Sequence, residues 1–158
     1  MKVVVTDYTF PSLAQEEQAA RDGRADFSAH QCKTAEEVAE AVAGADVAVV
    51  QFAPFTKAAA AAINPGAIVI RYGVGYDNID VGAANAHGLK VGYVPDYCAD
   101  EVADHTAAAA LTMLRKLPAL DASVRAGDWA AVKVCKPMKP FSQTRFGFFG
   151  LGQIGRAV

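Results

Sequence analysis

No apolar run in this sequence reaches the roughly 20 residues that a membrane-crossing helix needs. The start, Met1-Lys2-Val3-Val4-Val5-Thr6-Asp7, turns polar too quickly for a secretory signal. Together these absences predict a cytoplasmic protein. Cysteine is scarce: Cys32, Cys98 and Cys135 are odd in number and far apart, which fits neither a disulfide framework nor zinc-site spacing. Reduced thiols and no metal are expected. An excess of charge is missing as well, since 15 Lys and Arg face 17 Asp and Glu for a net charge of -2. Without a basic stripe, neither nucleic acid nor an anionic membrane is an expected partner, which leaves a small metabolite. What is present is apolar content, 53% of 158 residues, enough for one well-buried domain and a fragment of a second.

Short apolar runs at Val3–Val5, Val47–Val50, Ala67–Ile70 and Val91–Val94, with a weaker one near Phe27–Gln31, read as buried strands. Helices alternate with them. Ser12-Leu13-Ala14-Gln15 and Thr34-Ala35-Glu36-Glu37 both match a capping box, and Gly23 and Gly44 are the expected left-handed stops. Further helices are expected from Thr56 to before Asn64-Pro65-Gly66 and from Asp80 to His87-Gly88. Such alternation predicts an α/β fold, a flavodoxin-like parallel sheet covered on both faces, over residues 1 to about 97. Afterwards Ala103, Thr106, Ala107, Ala110, Leu111, Leu114 and Leu117 follow helical spacing. Pro118 bends or restarts that helix, Gly127 ends it, and Asp128–Gln143 reads as an irregular arm.

Arg145–Phe149 reads as a strand running into Gly150-Leu151-Gly152-Gln153-Ile154-Gly155, a G-x-G-x-x-G pattern opening a helix. In a dinucleotide-binding unit Gly150 permits the tight turn, Gly152 lets the backbone approach a pyrophosphate, and Gly155 allows close helix packing. Glycine-rich turns also serve plain structural ends. The residue that reads the ribose belongs about 20 positions further on, beyond Val158, so NAD and NADP stay undistinguished.

Arg71-Tyr72-Gly73-Val74-Gly75-Tyr76-Asp77-Asn78-Ile79-Asp80, Val94-Pro95-Asp96, Glu101-Val102-Ala103-Asp104-His105-Thr106 and the glycine loop come in an order that resembles the D-isomer-specific 2-hydroxyacid dehydrogenases. The segment Pro95-Asp96-Tyr97-Cys98 is similar to the branch of phosphoglycerate dehydrogenase-like and C-terminal-binding-protein-like homologues. The resemblance covers nearly the whole chain. It implies a substrate domain over 1–97 and, over 98–158, the incomplete start of an NAD(P)-binding Rossmann domain. It also implies that Val74 and Gly75 hold a substrate carboxylate through backbone N–H groups, with Arg71 adding charge and Ala53 lining the cleft. Cofactor contacts are implied at Val74, Val102, Gly150, Gly152, Gln153, Ile154 and Gly155. A homodimer through the long helix and the arm is implied for the complete enzyme. From the residues alone, Gly73 and Gly75 equally shape a plain turn, and Arg71 equally ends a strand in solvent.

The Arg, Glu and His that the resembled family uses in catalysis fall after the glycine loop, so no catalytic residue is expected within the chain. Local substitutes are poor. Asp104 and His105 are adjacent on a helix and point about 100° apart. Helix-end and turn duties account for His87, Asp77 and Asp80, and the thiols of Cys98 and Cys135 read as inert. The leading expectation is the amino-terminal part of an oxidoreductase that moves hydride between NAD(P) and a small D-2-hydroxy or 2-keto acid, inactive alone. The alternative is a short regulatory module that pairs with a full-length relative. A phosphoacceptor receiver is discounted, because it needs an aspartate where the third strand ends in Gln51.

Overall fold

The computed structural model describes residues 1–158, which divide into Met1–Tyr97 and Cys98–Val158. In the first unit the valine runs become strands: β1 (Lys2–Val5), β2 (Asp26–Ala29), β3 (Val47–Val50), β4 (Ile68–Arg71) and β5 (Lys90–Tyr93). All neighbours pair in parallel, in the order β2-β1-β3-β4-β5. This is the flavodoxin-like order.

Alternation along the strands sorts side chains to two faces. Val4, Ala48, Val50 and Val69 enter the larger core, together with Val38 and Val42, Ala59 and Ile63, and Ala84. Those partners come from α2 (Ala35–Ala41), α3 (Lys57–Ala62) and α4 (Val81–Ala86) or the residues that end them. Val5 and Val49 instead face Leu13, which leads into α1 (Ala14–Asp22), with Phe27, Val47, Ile70 and Tyr72 around them. Phe55 is fully buried among the residues of the larger core.

Local signals explain most helix ends. Thr34 Oγ1 accepts from Glu37 N at 3.3 Å, and Glu37 Oε2 accepts from Thr34 N at 3.2 Å, closing the expected capping box of α2. Asp80 caps α4 by accepting from Ala83 N at 2.8 Å; His87 and Gly88, with φ +70°, end that helix as expected. Two expectations need correction. Ser12 forms no capping box: its hydroxyl accepts from Ala14 N at 3.1 Å, and α1 starts after Leu13, whose burial fixes where the chain turns. Gly23 ends α1 with right-handed φ -76°, and the left-handed residue is Arg24 at φ +52°. Gly44, at +65°, is left-handed as expected.

In the second unit α5 (Ala99–Leu114) breaks at Lys116, which is left-handed at φ +53°. Pro118 then sits in the first turn of α6 (Leu117–Arg125), where its missing N–H costs no hydrogen bond. Gly127, with φ +80°, closes α6. The expected irregular arm contains a short helix, α7 (Ala131–Cys135), tied to Lys116 through Nζ–carbonyl bonds to Val134 and Lys136. The expected strand at Arg145–Phe149 does not form. A strand is made by its neighbour, and no other strand lies in 98–158. The glycine loop does open a helix, α8 (Gln153–Ala157), which packs on α5.

Candidate functional site

Two adjacent strands end at one edge of the sheet, and the segments that leave them are bound together. After β3 the chain makes the turn Gln51-Phe52-Ala53; after β4 it runs through Tyr72–Asp80. Asn78 Nδ2 donates to Ala53 O at 2.9 Å, Phe55 N donates to Asn78 O at 2.8 Å, and Asp80 N donates to Phe55 O at 2.8 Å. This edge, at the carboxyl ends of parallel strands, is where ligands of open α/β sheets sit.

Gly73 forces the shape of the second segment. Its φ of +149° is open to glycine, and a Cβ there would overlap the guanidinium of Arg71, which folds over it and donates to Tyr72 O. Arg71 also lies over the Phe52 ring, 5.7 Å from its centroid, while its Nε is buried without a partner. Gly73 N is engaged by Arg71 O at 2.9 Å, and Gly73 O accepts from Val94 N at 3.2 Å. The next two N–H groups, of Val74 and Gly75, have no acceptor within the chain. Val74 is half-buried and Gly75 exposed, so two consecutive unengaged backbone donors stand at this edge. Consecutive donors of this kind suit an anion.

The neighbouring turn is opposite in character. Asp7, 7% exposed, follows β1 and accepts from Gln51 N (3.0 Å, Oδ1), Phe52 N (2.6 Å, Oδ2), Ala53 N (3.1 Å, Oδ2) and the Thr6 hydroxyl (2.8 Å, Oδ1). Ala53 is buried, whereas the Phe52 ring is 64% exposed. Gln51 is buried, and its Oε1 has no partner. Sequence reasoning missed the role of Asp7. Its backbone donors lie 44–46 positions away along the chain, so no local signal marks it.

On the other side of the β4 segment, Tyr72 OH donates to Glu16 at 2.7 Å, and its ring meets Phe10 edge-on at 5.4 Å between centroids. Burial first, then Glu16, pushes the Tyr72 hydroxyl well above its ordinary pKa. Cys32 is likewise raised, by burial and then by Glu37 and Asp7, so its thiol is a poor nucleophile. No group of His, Cys, Asp and Glu side chains is arranged to hold a metal.

In the second unit Gly150 has φ +102°. A Cβ on Gly155 would lie 2.5 Å from Gly150 O, so that glycine permits close loop-to-helix contact. A Cβ on Gly152 would meet nothing within 4 Å, leaving its backbone open to approach. Gln153 is exposed and Ile154 half-buried. On α5, Val102 is 38% exposed, and Asp104 and His105 are both exposed with no bond between them.

Residues 3–147 match the model of the D-isomer specific 2-hydroxyacid dehydrogenase catalytic domain. Glyoxylate/hydroxypyruvate reductase A of Arabidopsis thaliana is 34% identical over 121 residues, covering 77% of this chain and 35% of that relative. A D-3-phosphoglycerate dehydrogenase of Methanocaldococcus jannaschii is 37% identical over 128 residues, 79% of this chain and 24% of its own length. Among solved structures, a putative D-isomer specific 2-hydroxyacid dehydrogenase from Polaromonas sp. aligns at TM-score 0.69 and 27% identity, over 99% of this chain and 50% of that one. An acyclic imino acid reductase in complex with NADPH and D-Arg shares the fold at TM-score 0.79 and 24% identity, over 99% of this chain and 51% of its own. The chain thus spans about half the length of these structures and less of the curated relatives. No helix is long and apolar enough to cross a membrane. With a five-stranded parallel sheet and a family model that covers residues 3–147, the chain belongs to the D-isomer specific 2-hydroxyacid dehydrogenases.

Proposed function

We propose that the chain supplies the substrate-binding part, and the opening of the dinucleotide-binding part, of an oxidoreductase that transfers hydride between NAD(P) and a small D-2-hydroxy or 2-keto acid. The observation that carries this reading is the pair of unengaged N–H groups at Val74 and Gly75, directly after the glycine turn at Gly73 beyond the carboxyl end of β4, in a member of this family. These donors hold the substrate carboxylate. Arg71 positions the loop through Tyr72 O and Gly73 and adds positive charge behind it, while Ala53 and Phe52 form the adjoining wall.

The glycine loop fits a pyrophosphate, because Gly152 leaves its backbone uncovered and Gly150 and Gly155 take a shape other residues resist. Gly150, Gly152, Gln153, Ile154 and Gly155 therefore hold the phosphates of the dinucleotide, whose nicotinamide supplies the hydride chemistry when bound. Turnover is assigned to residues outside these 158, since Asp104 and His105, the nearest local acid and base, do not pair. A second copy is the proposed partner of residues 98–143, where Met113, Trp129 and Val132 are each more than 70% exposed.

The test is a titration of the chain with D-glycerate while the backbone amides are followed by NMR. The Val74 and Gly75 resonances are expected to move first and furthest. Movement confined to other loops would overturn the assignment. In a parallel titration, NADH is expected to bind weakly, because an isolated phosphate loop offers no adenosine contacts; submicromolar binding would overturn the division of labour proposed here.

A further inference from the structure

On the α1 side of the sheet lies a cavity of about 480 Å³, within the size range of small-molecule sites, whose lining includes neither Val74 nor Gly75. Its walls are Phe10 and Pro11 from the segment between β1 and α1, Ser12, Gln15 and Glu16 around the start of α1, and Tyr72 directly after β4. Glu16 is the charged group among them and is half-buried. Its carboxylate accepts from the Tyr72 hydroxyl at 2.7 Å and makes no ion pair within the chain. The adjacent Glu17, by contrast, is paired with Arg21 at 3.6 Å. No lysine, arginine or histidine lines the cavity. Because a carboxylate offers about four acceptor positions, Glu16 keeps most of its capacity after binding Tyr72.

We infer that this cavity is a binding site for a small organic cation, an ammonium or guanidinium head on a short apolar body, with Glu16 as its counter-charge and the Phe10 and Tyr72 rings as its walls. The site is separate from the carboxylate donors and does not depend on how those are read. The two rings meet edge-on at 5.4 Å between centroids, which places aromatic surface beside the carboxylate. Aromatic rings attract cations through their quadrupole, and a partly buried carboxylate adds a charge-assisted hydrogen bond. Burial and Glu16 both hold the Tyr72 hydroxyl in its protonated form, so it stays a donor and the negative charge of the wall rests on Glu16. The amino end of α1 alone would suit an anion, but Glu16 and Glu17 in its first turn already offset that polarity. Ser12 and Gln15 supply further acceptor oxygens at the rim for the N–H groups of the head.

Two probes of nearly the same shape, n-butylguanidinium and the uncharged n-butylurea, test this on the full chain by amide NMR at low ionic strength. The guanidinium is expected to give saturable shifts at Ser12, Gln15, Glu16 and Tyr72 and to bind there at least about tenfold more tightly than the urea, a difference of about 1.4 kcal/mol. Equal binding of the two would overturn the cationic class. Shifts spread without saturation over exposed carboxylates such as Glu36 and Glu40 would overturn the site, as would the absence of shifts with either probe. In Glu16→Gln, which keeps an acceptor oxygen for the Tyr72 hydroxyl and removes the charge, the preference is expected to fall to near parity. A folded Glu16→Gln that keeps the wild-type preference would overturn the role of Glu16, and the wild-type comparison decides the ligand class even if that variant does not fold.

Discussion

At the scale of single residues, the site depends on two that have no chemistry of their own. Gly73 is held at φ +149° with the Arg71 guanidinium lying where a Cβ would be. Gly73→Ala must strain the backbone and displace Arg71 together, and strained positions of this kind cost about 1–3 kcal/mol each. A chemical denaturation curve is expected to show that loss, together with loss of the Arg71 to Tyr72 carbonyl contact; an unchanged midpoint would remove the argument that the loop's shape requires glycine. Phe55 answers for the other side of the edge. It is fully buried, and its backbone joins both segments through Asn78 and Asp80. Phe55→Ala is expected to cost about 3–5 kcal/mol by opening a cavity. Phe55→Leu, which keeps most of the volume and all the backbone bonds, should cost far less. The glycines were legible in the sequence because their pattern is contiguous. Asp7 was not, because its acceptors' partners lie 44–46 positions away, and no local pattern records a contact of that span.

Elements differ in how much of their structure is written locally. The valine runs identify β1, β3 and β4, since a strand covered on both faces must be apolar throughout, and the sheet then follows from crossover handedness. Thr34 was readable because a capping box closes within four residues. Ser12 carries the same pattern but was overruled by Leu13, which enters the second core and moves the helix start past it. Arg145–Phe149 has the composition of a strand without the pairing partner that makes one. The box at α2 also gives a pH signature. Glu37 accepts from Lys33 N and Thr34 N, which hold its carboxyl below the usual range; Asp46 is lowered by Asn64 first and then by Lys2 N. The unfolded chain therefore takes up protons at these positions before the folded one does. Their stabilisation is complete above the ordinary carboxylate pKa of about 4 and is lost as pH falls through their lower folded values. Thr34→Ala should cost about 1 kcal/mol at neutral pH. In Glu37→Gln the acid limb of the stability profile is expected to flatten; a profile that keeps its wild-type slope would assign the acid sensitivity elsewhere.

Across the whole molecule, burial is unevenly divided. Every fully buried apolar side chain lies in Met1–Tyr97, and Ala103 is the single buried apolar residue of Cys98–Val158. The first unit closes a five-stranded sheet with two core clusters. The second has helices joined by exposed segments, with Trp129 at 88% and Leu151 at 65% exposure. Hydrophobic burial contributes about 1.5–3 kcal/mol for each large apolar side chain removed from water, so cooperative stability must reside in residues 1–97. A polypeptide ending at Tyr97 is accordingly expected to fold alone and to melt within a few degrees of the 158-residue chain. In the full chain, amides of β1, β3 and β4 should exchange with solvent orders of magnitude more slowly than those of α6 to α8, because local opening follows the burial that resists it. Uniform protection across both units, or collapse of the 1–97 polypeptide to an unfolded state, would show that the second unit contributes to a shared core. Slow exchange confined to the sheet would instead identify residues 1–97 as the independently folded scaffold on which the Gly73–Gly75 loop and the Asp7-bound turn are held.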